Sequence, residues 1–234
     1  MEGTVAHRWL ENIRTSHQLT VFPGQSLAGS WPTVFNTALE EFNKLSNANN
    51  LGVTLTRATA PVNRFLTGAN VQFEATSSGS LTFNDTFLGP QTVALPSSFM
   101  ARTRPLPSPS SGNRLGQALI LVPATPRVMA GHTGQKVLRE AGDPVKLDMA
   151  VHELIHACGL GEEDHTPMSD PDLFVATPDD DPDNSDPSKD RLDVGTKNGV
   201  HLKVPPLFLS APTVSKIQLL WLVPNVRIHF PHTF

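Results

Sequence analysis

The stretch from Asp143 to Gly159 carries the strongest folding signal in the chain. Its apolar residues recur every three or four positions and therefore share one face of a helix: Leu147, Val151, Leu154, Ile155 and Cys158. Asp143 and Pro144 are typical of a helix start, and Gly159 of a helix end, because glycine accepts the left-handed conformation. We expect a helix held by its apolar face, so the rest of the chain must supply a core for it.

Segments on both sides of this helix provide such a core. Apolar residues at helical spacing predict one helix over 31–46, after a cap at Ser30, and a last helix over 213–222. Residues 103–116 are rich in Pro, Ser, Gly and Arg, which indicates a loop. Short strands are predicted at 18–22, 52–57, 70–76, 80–84 and, as a buried strand, 117–122. The order of these elements predicts an α+β fold with a small mixed or antiparallel sheet.

Composition limits the classes of protein that the chain can be. With 234 residues, of which 38% are hydrophobic, it is long enough for one domain with two lobes. The single cysteine, Cys158, excludes an intrachain disulfide framework and a cysteine-rich zinc finger. No apolar run approaches the roughly 20 residues of a membrane span, and no Lys/Arg-rich run indicates a nucleic-acid partner.

The first residues of the chain bear on where the protein is located. Residues 1–8 lack the pattern of a secretory signal, so we expect a cytoplasmic, virion-associated or non-classically exported protein. The sequence is silent on oligomeric state.

Acidic residues concentrate after the central helix. From Glu162 to Asp193 there are 12 acidic and two basic residues, a balance of −10 in a chain whose net charge is −4. Four aspartates have an EF-hand-like spacing, but Asn184 replaces the glycine that the calcium loop requires; they are Asp179, Asp181, Asp183 and Asp190. A solvated acidic loop over 178–193 is therefore favoured over a calcium site.

The polar side of the central helix carries an HExxH motif, His152-Glu153-Leu154-Ile155-His156. Residues four apart differ by about 40° around a helix, so both imidazoles can share one metal ion. Neutral imidazole is a good zinc ligand, and Glu153 is placed to act on a metal-activated water rather than on the metal. The motif therefore predicts a Zn²⁺ site with His152 and His156 as ligands and Glu153 as catalytic base. An exposed polar stripe without metal is the alternative.

The residues around the motif resemble a known family. The sequence HELIHACGLGEEDH resembles the active-site helix of metzincin zinc peptidases, whose pattern is HExxHxxGxxH. Its HELIHACGL core is also similar to zincins encoded by bacteria and bacteriophages. Four positions match the metzincin pattern: His152, Glu153, His156 and Gly159. The resemblance implies that the helix ends at the glycine and that the chain then turns to bring a third ligand to the metal.

The third ligand departs from that pattern. The expected position holds Glu162, and the nearest histidine, His165, lies three residues later. Because lengthening a surface turn costs little free energy, we favour His165. Asp164 is the main alternative, since some zincins use an aspartate there, and Glu162 is the next.

Two further features bear on the resemblance. Met168 follows a Thr-Pro pair and is a candidate for the methionine turn beneath the metal in metzincins, although an ordinary apolar contact explains it equally well. The segment 210–222 resembles the helix that closes metzincin domains. The chain contains no Tyr, which some metzincins use to stabilise the transition-state oxyanion, so zinc and a backbone N–H would have that role.

The motif and the resemblance together predict one metallopeptidase-like domain over 1–234 with a zincin/metzincin-like fold. Its N-terminal lobe, 1–159, includes the active-site helix, and its C-terminal lobe, 160–234, includes the acidic loop. We expect a zinc-dependent endopeptidase whose protein or peptide substrate pairs with an edge strand over 117–122. Two alternatives stay open: a non-catalytic, metal-stabilised zincin-like protein, such as a virion component, and a zinc amidase acting on cell-wall peptides.

Overall fold

The computed structural model describes residues 7–62, 68–85, 89–96, 101–108, 114–130, 137–160, 207, 209 and 211–223. These residues form a mixed α+β structure with four helices: α1 (Glu11–Ser16), α2 (Trp31–Asn49), α3 (Asp143–Ala157) and α4 (Ala211–Trp221). The strands are β1 (Gln18–Pro23), β2 (Thr54–Arg57), β3 (Val71–Thr76), β4 (Ser80–Asp85), β5 (Gly89–Ala94), β6 (Arg102–Pro107), β7 (Leu115–Pro123), β8 (Arg127–Ala130) and β9 (Val137–Glu140). No helix of the described part is both long and apolar enough to cross a bilayer.

Five strands form a mixed sheet in the order β2-β1-β3-β7-β6. The first four run parallel to their neighbours, whereas β6 pairs antiparallel with β7, with Thr103 opposite Ile120. The strands β4 and β5 form an antiparallel hairpin, as do β8 and β9. The expectation of an α+β fold with a mixed sheet is therefore confirmed, and β6 is an edge strand of that sheet among the described residues.

Helices α2 and α3 pack against each other and against one face of this sheet. Alternate residues of β3 and β7 point into this core, where the rings of Phe35 and Phe73 meet edge-on with centroids 5.5 Å apart. The buried face of α3 contributes Val151, Leu154, Ile155 and Cys158, all fully buried. The apolar face predicted for this helix is thus the one that anchors it to the sheet.

The predicted helices and most predicted strands are confirmed, with shifts of one to three residues at their ends. The helix α3 begins at Asp143 and its N-cap is Gly142, one residue earlier than expected. Gly159 has a φ of 113°, so the left-handed turn predicted after the helix is also confirmed. The helix α1 and the strands β5, β8 and β9 have no counterpart among the predicted elements.

Two predictions about the sheet are wrong. Residues 103–116 are not a loop, because β6 covers their first part and β7 begins at Leu115. Pro105 and Pro107 discouraged a strand, yet an edge strand tolerates proline because one of its sides makes no ladder hydrogen bonds. Because β6 pairs with β7, the segment 117–122 is not an edge strand: it lies inside the sheet between β3 and β6.

Candidate metal centre

His152 and His156 lie on the same side of α3 with their rings facing each other. Their Nε2 atoms are 3.0 Å apart, and the ring centroids are 4.7 Å apart. His152 is half-buried, whereas His156 is only 6% exposed. The spacing of four residues has therefore brought both imidazoles to one point, as the sequence predicts.

The ring of His156 is oriented by the chain that follows the helix. Its Nδ1 lies 3.1 Å from the carbonyl oxygen of Leu160. A carbonyl only accepts hydrogen bonds, so Nδ1 of the neutral ring carries the hydrogen and Nε2 presents a lone pair. The facing Nε2 of His152 then donates its hydrogen, which it would give up to bind a metal. A ring nitrogen that donates to a backbone carbonyl is the usual support of a metal-binding histidine.

Burial keeps His156 in the form that binds metals. Removal from water lowers the pKa of His156 to about 4, against the smaller opposing effect of the hydrogen bond to Leu160. The imidazole is therefore neutral at physiological pH, and neutral imidazole is the metal ligand.

Glu153 lies beside the two imidazoles but points to the sheet. Its side chain is 5% exposed, and its Oε2 accepts a hydrogen bond of 2.6 Å from the hydroxyl of Thr103 on β6. The same hydroxyl lies 3.0 Å from the backbone carbonyl oxygen of Glu153. A buried carboxylate on the same helical turn as two imidazoles has the chemistry that a general base needs.

Asp148 lies one helical turn before His152 on the same side of α3. Burial raises the pKa of the Asp148 carboxyl to about 7. A positive charge at the histidine pair would favour the ionised form of this carboxyl, because an opposite charge nearby lowers an acid's pKa. Asp148 is thus a second acid near the centre, and the sequence analysis did not single it out.

The end of α3 is fixed by contacts from both ends of the described chain. The indoles of Trp9 and Trp221 donate to carbonyl oxygens at the end of the helix, at 2.9 and 3.0 Å. The backbone N–H of His7 donates to the carbonyl of Gly159 at 2.9 Å. A Cβ on Gly159 would overlap the backbone of His7, and the positive φ of Gly159 turns the chain so that Leu160 reaches His156. These contacts set the direction in which the chain leaves the helix.

The donor set fits zinc. Zinc binds imidazole nitrogen at about 2.0–2.1 Å in tetrahedral geometry, which places two such nitrogens about 3.3 Å apart. The separation of 3.0 Å between the Nε2 atoms is close to that value, so a small opening of the pair suffices. Two imidazoles on one helical turn with a carboxylate are also a donor set that zinc prefers.

The structure leaves the third ligand open. Within the described residues, no third His, Cys, Asp or Glu joins the two imidazoles in a group able to hold a metal. The candidates Glu162, Asp164 and His165 lie outside the described residues, as do Met168 and the acidic loop 178–193. The choice of His165 therefore stays a prediction.

Cys158 takes no part in this centre. Its thiol is fully buried, its Sγ lies 3.4 Å from the carbonyl oxygen of Leu154, and burial raises the pKa of the thiol. Cys158 therefore belongs to the apolar core, as its place on the predicted apolar face of the helix indicates.

Thr103 is the site residue that sequence analysis missed. It lies 50 positions before Glu153, in a segment whose composition predicts a loop. The strand signal there is weak, because Arg102, Thr103 and Arg104 are all polar and prolines follow them. Even a correct strand prediction would not have placed this hydroxyl at Glu153, because the contact depends on the register of the sheet.

Comparison with models of known protein families finds no match to this chain, and a search of curated proteins finds none either.

Proposed function

We propose that this chain is a zinc-dependent endopeptidase with a zincin/metzincin-like fold. The observation that carries the proposal is the combination at α3 of two imidazoles that face each other and a buried carboxylate. The tautomer of His156 is set for a metal by the Leu160 carbonyl, and Glu153 lies on the same helical turn with its carboxylate held by Thr103. A site that only binds a metal has no need for such a base.

Each residue has one role in this proposal. His152 and His156 hold Zn²⁺ through Nε2, and His165 completes the ligand set, with Asp164 and Glu162 as the alternatives. Bound zinc supplies Lewis-acid chemistry, which brings the pKa of water toward about 7 and polarises a substrate carbonyl. Glu153 takes the proton of the attacking water and passes it to the leaving amine.

The substrate strand of the proposal is β6. The interior position of β7 excludes it from pairing with a substrate, whereas β6 has an edge that no described strand covers. It also lies next to α3, since Thr103 contacts Glu153. An extended peptide that adds to this edge would place its backbone near the histidine pair by main-chain hydrogen bonds.

The test is hydrolysis of an unfolded protein by zinc-loaded protein, measured as new amino termini. We expect Glu153→Gln to keep its zinc and to lose about 10³-fold or more in rate, because an amide cannot take the proton. Glu74→Gln is the matched control, because Glu74 is also a buried glutamate but lies on β3. This variant should keep both zinc and activity.

Three outcomes would change the proposal. Equal rates for the wild type and Glu153→Gln would remove the role given to Glu153. Bound zinc without cleavage of any substrate would favour the non-catalytic zincin-like protein. Cleavage of cell-wall peptides but not of unfolded protein would favour the amidase.

A further inference from the structure

We infer that Thr103 is a positioning residue that holds the carboxylate of Glu153 and ties it to the edge strand β6; this inference rests on the proposed function. The Thr103 hydroxyl lies 2.6 Å from Oε2 of Glu153 and 3.0 Å from its backbone carbonyl oxygen. One side chain therefore contacts both the reactive end and the backbone of the same residue, which restricts the torsions between them.

The support for Thr103 is rigid. Its strand pairs antiparallel with β7 over the whole of β6, and Thr103 itself lies opposite Ile120, which is fully buried. The register of the sheet thus fixes where the hydroxyl stands. A functional group held by a regular element keeps its geometry better than one held by a loop.

Burial makes the contact important. The side chain of Glu153 is 5% exposed, so bulk water does little to solvate its carboxylate. A carboxylate has only acceptor atoms, and a buried one without donors is costly. The hydroxyl of Thr103 supplies a charge-assisted hydrogen bond, the strong class of such bonds.

A hydroxyl also suits both halves of the proton transfer. It donates to Oε2 while Glu153 is a carboxylate. When Glu153 carries the proton, the same hydroxyl can accept from the carboxyl group and donate to the carbonyl oxygen 3.0 Å away. The contact between Thr103 and Glu153 is therefore kept throughout, whereas a donor-only group such as lysine would lose it.

The contact between Thr103 and Glu153 would align the base with the bound substrate. The strand β6 offers its outer edge to the peptide in the proposed function and its Thr103 side chain to the base. In this proposal, the strand β6 fixes the positions of both the scissile bond and Glu153. Removing the hydroxyl should leave peptide binding on β6 intact and should reduce the rate of the chemical step.

The experiment compares Thr103→Val, which keeps the shape but loses the hydroxyl, with Thr103→Ser, which keeps the hydroxyl. In zinc-loaded protein we expect Thr103→Val to lower kcat about 10-fold or more with KM nearly unchanged, and Thr103→Ser to restore most of it. Zinc content should equal that of the wild type in both. Thr76→Val is the matched control, because the hydroxyl of the buried Thr76 on β3 bonds within its own turn, to Ser78 and Ser80.

A second readout does not depend on activity. The melting temperature is measured for Thr103→Val in the wild-type background and in Glu153→Ala. We expect the loss to be larger in the wild-type background by roughly 2–4 °C, because only there does the hydroxyl bond a carboxylate. Equal losses in the two backgrounds, or an unchanged kcat, would overturn the inference while leaving the peptidase proposal in place. An inactive wild-type protein would overturn the peptidase proposal, and the inference with it.

Discussion

Two buried glutamates, Glu74 on β3 and Glu153 on α3, are 8% and 5% exposed. Each accepts a hydrogen bond from a hydroxyl group, Glu74 from Ser26 and Glu153 from Thr103. By residue type and burial they are nearly the same group, so their difference must come from their neighbours.

The neighbours of Glu74 give it a structural role. It also accepts from Nε2 of Gln72 at 2.5 Å, and the hydroxyl of Ser26 in turn accepts from the backbone N–H of Ala75. A Cβ on Gly24 would overlap the Glu74 carboxyl, so the glycine leaves room for it. These contacts attach the turn after β1 to β3, and no described ligand-type side chain bonds to Glu74.

The neighbours of Glu153 are of another kind. It shares its helix turn with two imidazoles whose nitrogens face each other at 3.0 Å, and its hydroxyl partner comes from a different element of the sheet. The comparison shows that burial of a carboxylate does not by itself indicate a functional site. The chemistry of the groups around the carboxylate distinguishes the two cases.

The largest expected effect that distinguishes the two regions is on zinc affinity. We expect His165→Ala to lower zinc affinity by more than the about 10–100-fold typical of outer-shell partners, because it removes a ligand. Asp164→Ala should lower it far less, and Glu74→Gln should leave it unchanged. The measurement is a zinc titration against a competing chelator. A larger loss for Asp164→Ala than for His165→Ala would move the third ligand to Asp164.

A smaller effect is expected on stability, where the substitution of Glu74 should cost more than that of Glu153. We expect Glu74→Gln to lower the free energy of unfolding by about 1–3 kcal/mol, since one of its two accepting oxygens is replaced by an amide nitrogen and Ser26 or Gln72 loses its acceptor. Glu153→Gln should cost less, because residues placed for catalysis are often poor for stability. Urea unfolding of both variants, in zinc-free buffer, measures the difference. If Glu153→Gln were the more destabilising of the two, Glu153 would be a stabilising residue like Glu74, which would contradict the proposed difference.

The sequence predicts the parts of this site that lie within one element. The helix α3 follows from its apolar period and its terminal residues, and the meeting of His152 with His156 follows from helical geometry. The strand β7 follows from its continuous apolar character, which its full burial explains. In each case the signal and the structure depend on the same few neighbouring residues.

The parts that the sequence does not predict depend on contacts between distant segments. The strand β6 was hidden by its prolines, which only its edge position makes acceptable. The bond from Thr103 to Glu153 requires the register of β6 on β7, and the support of His156 comes from a backbone carbonyl, which any residue at position 160 would supply. The raised pKa of Asp148 follows from burial, which the spacing of residues alone does not give.

The zinc content of the purified protein is the first measurement to make, because every proposed role at α3 depends on a zinc site there. The protein is dialysed against metal-free buffer and analysed by elemental mass spectrometry, before and after addition of zinc. We predict about one zinc per chain, lost in His156→Ala and kept in Glu74→Gln. No zinc in the purified protein, and none taken up on addition, would contradict the account and with it the peptidase proposal.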